Sequence, residues 1–420
     1  MKIGKFKLYY YVPYIVLNIL CINSTYFRYL SFILFLLPTI FLLRRRVSYQ
    51  YFALLIFYIV QFVVSCVNTS VSQSIKNTAQ YILWFAPIII FDLAIKDELI
   101  SDKINDFKNV NVITQITILY CMVASWRYLQ TSMYALRNIA AYDPSIGYDP
   151  RFPFAIGGGY SLLFPIAMLI TLYLWVVMRS KYISKKLIYI CLIVFSVLLL
   201  IKANCTTVFL VATICMLWLV LFSKNPKGTV AIFCVSAIGL LVVLLNQEII
   251  AEIIRLVASL FDERTIMHQR LNEIIPAIYY GNSESSFGMR LFAIQKDIAT
   301  ILKFPIVGAG GHVGFDYLAL NQYVGWHCEW LDIIAEFGIP LSALVFYVII
   351  KSLKELYTFI VIPSQKSVFL IMAMCLFLMG ICDPVMARNM LLTLFVVYPC
   401  VYKVIEYKET KNEEIINDNL

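Results

Sequence analysis

Apolar residues run along this chain in long blocks, with polar residues in short clusters between them. A helix needs roughly 20 apolar residues to cross the hydrocarbon core of a bilayer. On that pattern twelve spans are predicted, several of them short, near 9–23, 28–43, 51–67, 77–95, 109–129, 157–178, 186–203, 206–222, 228–246, 328–350, 367–382 and 389–405. Two long stretches interrupt the blocks, 137–160 and about 247–327. In the second, "EIIAEIIRLVASLF" and "GMRLFAIQKDIATILKFP" repeat their apolar residues at helical spacing. They predict amphipathic helices lying on the membrane surface or over a cavity. The expected fold is therefore all-α and polytopic. Nine spans fill 1–246, a large partly helical loop fills 247–327, three spans fill 328–405, and 406–420 is a polar tail.

Composition agrees with lipid as the solvent. Of the 420 residues 61% are hydrophobic and only 14% charged, and the mean hydropathy is +0.81. A soluble domain has no way to hide so much apolar surface. The basic start and apolar stretch "MKIGKFKLYYYVPYIVLNILCI" lack a small-residue cleavage site, so they are read as an uncleaved first span. The eleven cysteines mostly sit inside apolar blocks and show no metal-ligand or disulfide spacing.

The net charge of +9 follows membrane topology rather than nucleic-acid binding. With the N-terminus in the cytoplasm, the segments on the inner side hold 21 of the 34 basic residues, which favours both ends inside. Inside, 17 of those 21 are lysine; outside, arginine dominates, at 28, 127, 137, 151, 255, 264, 270, 290 and 388. A guanidinium grips phosphate and carboxylate oxygens through a planar fork that an ammonium lacks. For most of these arginines, loop composition and ion pairs with Asp262, Glu263 and Glu284 are explanation enough.

The segment "GWHCEWLDIIAEFGIP" places ionisable groups at the lip of a span. Glu329, Asp332 and Glu336 fall within a 60° arc of one helix, taking 100° per residue. Acids in a first turn complement the helix dipole, which accounts for Asp332 and extends to Glu336. His327 follows the helix-breaking "YVGW" and is a functional candidate because ionisable groups are costly at a membrane. His268 and His312 lack that setting and read as surface residues. In "KFPIVGAGG" the glycines follow a helix, the reverse of a phosphate loop, so a nucleotide site is rejected and a tight turn is expected. Most tyrosines and tryptophans read as interface anchors. Trp326 and Trp330, beside His327, are candidates for stacking on sugar.

"HCEWLDIIAEFGIPL" resembles a motif of the O-antigen ligase and polymerase superfamily of bacterial membrane proteins. That family carries a histidine, a small polar residue, nine further residues, a glycine, two more, and a small residue or tyrosine. His327 and Gly338 match the spacing, while Cys328 and Leu341 depart from the usual types. Upstream, "GMRLFAIQKDIATILKFPIVGAGG" is similar to the family's arginine, short helix, proline and glycine turn, with Arg290 at its functional arginine. "DPRFPFAIGGGYSLLFPIAM" is similar, more loosely, to an earlier segment in which Arg151 falls at an arginine.

The resemblance implies a helical fold like that of the C-class glycosyltransferases, in the bacterial cytoplasmic membrane with both termini cytoplasmic. The implied activity joins glycans carried on undecaprenyl pyrophosphate, without nucleotide sugar, metal or other cofactor. Its partners would be that lipid-linked glycan and membrane lipid, with a flippase and a chain-length regulator of the same pathway as candidates, and no nucleic acid. Arg290 would bind the donor pyrophosphate, with Arg151 assisting. His327 would be the general base, oriented by Glu329. Arg388 and Asp383 would line the same cavity, although an ion pair between them is the plainer reading. Fixed arginines stabilise developing pyrophosphate charge without a cation, and a neutral histidine accepts or orients a hydroxyl proton. Three activities stay open: a polymerase, favoured; a ligase delivering the finished glycan; and a non-catalytic transporter or flippase.

The topology has a direct check. Reporters fused after Asn246 and near Asn282 should be extracytoplasmic, and those after Arg46 and at the C-terminus cytoplasmic. A cytoplasmic signal from residue 282 would overturn the expected site.

Overall fold

The computed structural model describes residues 7–20, 25–43, 48–99, 104–130, 159–180, 183–203, 205–222, 228, 247–280, 286–310, 324–325, 327–386 and 389–406. Every regular element among them is helical. Among the described residues six helices are long and apolar enough to cross a membrane: Tyr49–Asn68, Val71–Leu99, Ile104–Leu129, Tyr160–Arg179, Glu329–Phe359 and Pro363–Cys382. Shorter apolar helices lie at Tyr29–Leu43 and Thr207–Phe222. A helix falls on each predicted span except the ninth, 228–246, which apart from Gly228 lies outside the described residues.

The helices are dressed inside out relative to a soluble protein. Tyr49–Asn68 exposes Phe52, Leu55, Ile59 and Val63 and buries Gln50, Gln61 and Ser65. Ile104–Leu129 exposes Val112, Ile116 and Val123 and buries Thr114, Thr117 and Ser125. An outer stripe this apolar, over an inner face that mixes apolar and polar side chains, is stable only where the surroundings are as apolar as the stripe.

Polar contacts gather the helix ends into two sets. At one end Lys7 pairs with Asp97 at 2.7 Å, Lys96 with Glu355 at 2.8 Å, and Arg179 donates to Ser364. At the other, Asn68 Nδ2 donates to the Gly310 carbonyl at 2.9 Å, and Asn389 Nδ2 to the Asn18 carbonyl at 2.8 Å.

One span is broken. Glu329–Phe359 leaves helical geometry at Gly338, with φ 73° and ψ 168°, two residues before Pro340. An unbroken helix would bond the Ile339 N–H to the Ala335 carbonyl, and Pro340 has no N–H to offer Glu336. Here Ile339 N–H donates to the Pro305 carbonyl at 2.8 Å. The freed carbonyls of Ala335 and Glu336 accept from Ala309 at 2.7 Å and Gly310 at 3.1 Å. These donors belong to the turn 305–310, where Gly308 and Gly310 have positive φ. The glycines after the helix are thus a tight turn, as expected, and the turn has a partner. Beside the break, the Phe337 ring meets Phe57 at 5.0 Å and Tyr81 at 5.1 Å, both edge-on. That aromatic contact fixes the first half of the broken span against Tyr49–Asn68 and Val71–Leu99.

The two backbones approach so closely that a Cβ on Gly338 would overlap the Ile306 carbonyl. Gly338→Ala should therefore destabilise the protein by at least the ~1–3 kcal/mol typical of a residue held in a glycine-only conformation. A lowered thermal unfolding midpoint in detergent would show it; an unchanged midpoint would contradict the packing.

Candidate functional site

The lip of the broken span is built from three buried acids of that helix and one from the helix before it. Glu329, Asp332 and Glu336 are all buried, so the predicted arc faces inward. Their partners differ. Glu329 Oε2 accepts the backbone N–H of Val385 and, at 2.8 Å, that of Met386. It thereby closes the turn after Pro363–Cys382. Asp332 Oδ2 accepts the Cys328 N–H at 3.2 Å, reaching back to the first residue before its helix. Glu336 lies one turn deeper, where the Tyr81 hydroxyl donates to its Oε1. The dipole explanation holds for Asp332. It fails for Glu336, which is a buried acid held by another span.

The fourth acid is Asp297, on the amphipathic helix Ser286–Lys303. This helix buries Ala293, Asp297 and Thr300, one stripe at i, i+4 and i+7, and exposes Phe292, Ile298 and Leu302. Asp297 Oδ1 accepts the Gly325 N–H at 2.7 Å. Burial lifts its carboxyl from the ordinary range to about 6, against the opposing hydrogen bond from Gly325.

His327 is half-buried, on a bend between Gly325 and Cys328. The Cys328 side chain beside it is buried. Trp330 is committed to packing. Its Nε1 donates to the Phe377 carbonyl at 2.9 Å, its ring stacks on Phe377, and Gly380 leaves room for it. A sugar-stacking role for Trp330 gains nothing from this placement. Arg290 lies in the first turns of Ser286–Lys303, described by its backbone alone. Arg151, Trp326 and Arg388 lie outside the described residues. Asp383 ends Pro363–Cys382 in extended geometry. A separate cleft, lined by Ile19, Ile118, Pro165, Asn389 and Thr393 among others, holds none of the predicted site residues. Among the described residues no group of three His, Cys, Asp or Glu side chains is disposed to hold a metal.

Sequence reading missed Asp297, Tyr81 and Gln61. Asp297 had a signal: Ala293, Asp297 and Thr300 share a stripe opposite Phe292, Ile298 and Leu302, so the helix had two candidate inner faces. Tyr81 and Gln61 are single polar groups inside apolar blocks. Gln61 is fully buried beside the Tyr81 hydroxyl.

Glu329 carries a structural duty that can be measured. Glu329→Ala should free two buried amides at a cost of about 1–3 kcal/mol each and speed hydrogen exchange at Val385 and Met386. Glu329→Gln, which keeps an acceptor, should retain most of the protection. Equal exchange in all three proteins would dismiss the contact. No protein-family model matches this chain, and no curated protein matches it, so its chemistry has to be argued from these side chains.

Proposed function

We propose that this chain polymerises polyprenyl-pyrophosphate-linked oligosaccharide repeat units into a surface polysaccharide, such as O-antigen, capsule or exopolysaccharide. In this reading it works on the outer face of the bacterial cytoplasmic membrane, with twelve spans, both termini inside and the His327 end outward. The observation that carries it is the setting of His327. A half-buried imidazole stands on a bend that is bonded through Gly325 to the helix that carries Arg290 and leads into the broken span. Buried carboxyls anchor the backbone on both sides of it.

The chemistry follows from those parts. The attacking sugar hydroxyl of one lipid-linked chain gives its proton to the His327 imidazole as it bonds to the anomeric carbon of the other. The bond from that carbon to the pyrophosphate oxygen breaks, and the lipid pyrophosphate leaves with the electron pair. Arg290 stabilises the charge growing on that oxygen, and Arg151 assists. Glu329 shapes the rim through the turn at 385–386. A ligase would use the same parts on another acceptor. A lipid-linked-sugar transporter is the second reading, and the broken span favours it, because discontinuous helices line many transport sites.

Purified protein given lipid-pyrophosphate oligosaccharide, with EDTA present and no nucleotide sugar, should form longer lipid-linked chains. Arg290→Lys should fail almost as badly as Arg290→Ala, each losing roughly 10²–10³ in rate, because one ammonium does not reproduce the fork. His327→Ala should lose roughly 10²–10⁴ with normal membrane abundance. In cells both variants should leave surface glycan at a single repeat unit. Long chains stranded on the carrier would indicate a ligase, and transbilayer movement without bond formation a transporter. Wild-type chain length in both variants would remove Arg290 and His327 from the site.

A further inference from the structure

Two turns into the broken span stands an acid that no cationic side chain meets among the described residues. Glu336 is buried, in the last turn of the half-helix from Glu329 to Phe337 that ends at Gly338. A helix C-terminus is the negative end of its dipole, so a carboxylate there is unfavourable unless a cation meets it. The elements packed around Glu336 supply none. Tyr49–Asn68 has no charged residue, and the only one on Val71–Ile90, Lys76, is exposed. The turn 305–310 has none either, and Lys303 before it is exposed and lies over the Phe304 ring at 5.1 Å. The other charged side chains of the half-helix are the acids Glu329 and Asp332. Among the described residues no ion pair reaches Glu336.

Oxygen atoms gather there instead. The Tyr81 hydroxyl donates to Glu336 Oε1, and its own lone pairs remain open. Gln61 is fully buried, and neither its Oε1 nor its Nε2 has a hydrogen-bond partner. Its neighbours on the same face of the helix fix where it stands. Phe57, one turn before it, meets Tyr81 at 6.2 Å and Phe337 at 5.0 Å between ring centroids. Val64 and Asn68, one and two turns after it, lie against Gly310, whose N–H bonds the Glu336 carbonyl. Gln61 therefore lies level with Glu336 and faces the break. A primary amide left unbonded in an apolar bundle is costly, and it marks a place for a polar ligand.

We propose that the break in the span is a binding site for one sodium ion, held by the Glu336 carboxylate, Gln61 Oε1 and the Tyr81 hydroxyl oxygen. These oxygen donors suit a hard cation. The single carboxylate sets the charge. A monovalent ion leaves the site neutral, whereas a divalent ion would leave a net positive charge within the bundle. Interrupted helices elsewhere present their C-terminal ends to sodium in the same way. Bound sodium ties Tyr49–Asn68 and Val71–Leu99 to the first half of the broken span and so stabilises the joint. The site does not rest on the polymerase reading, because none of its three ligands takes part in that chemistry.

The test uses the full chain in lipid nanodiscs and radiolabelled sodium, with choline replacing sodium at constant ionic strength, at neutral and at alkaline pH. The wild type should bind sodium saturably, one ion per chain, and its thermal unfolding midpoint should rise with sodium but not with choline. Glu336→Gln keeps an acceptor for Tyr81 and removes the charge. It should fold, lose sodium binding, and show a midpoint that no longer responds to sodium. Gln61→Leu and Tyr81→Phe should each weaken sodium binding at least ~10-fold. Gln61→Leu should do so without lowering the midpoint in choline, because it removes an unbonded amide. Absence of saturable binding by the wild type at both pH values would overturn the site, and would mean a proton on Glu336 and a water at Gln61. Undiminished binding in Glu336→Gln or in Gln61→Leu would overturn it as well, by putting the ion elsewhere.

Discussion

The hydrogen-bond exchange at Gly338 is the constraint around which the lip is arranged. A helix interrupted within a membrane frees carbonyls that lipid leaves bare, at several kcal/mol each. Here the Ala335 and Glu336 carbonyls and the Ile339 amide all find partners on the turn 305–310. The turn is in turn held from the side by Asn68. Because the turn ends Ser286–Lys303, the same exchange seats that helix over the first half of the broken span. Asp297 then holds the Gly325 amide and Asp332 the Cys328 amide, one on each side of His327. The break is thus a joint, and the candidate site is what the joint brings together.

The buried polar groups obey a common logic. Glu329 satisfies two amides of a turn, Asp332 one amide before its own helix, and Glu336 a tyrosine on another span. Each acid sits where the protein supplies a donor and lipid supplies none. Meanwhile the surface of Tyr49–Asn68 and its neighbours is apolar. The acids that link the helices are also those that shape the lip.

Much of this could be read from the chain before any coordinates. Long apolar blocks locate the helices because the bilayer sets a length. The prolines and glycines at 305–310 and 338–340 announce a turn and a break. What they do not announce is that the turn and the break belong to each other, since backbone amides and carbonyls look alike at every position of a sequence. Asp297 stayed hidden for a related reason. In a soluble amphipathic helix the apolar face goes inward, and here the small and polar stripe does so instead. Trp330 stands beside His327 in the sequence, while its ring stacks on Phe377 and lies over Gly380. Adjacency in sequence says little about which side of a helix a ring will take.

The order of the joint along the chain has a consequence for how the protein is made. Residues 305–310 leave the ribosome before residues 329–340, so the donors exist before the carbonyls they will satisfy. The nine residues from Glu329 to Phe337 are too short to enter a bilayer as an independent helix, and they carry three acids. Their carbonyls find donors on the turn 305–310, so the later segment is completed by backbone groups that precede it in the chain.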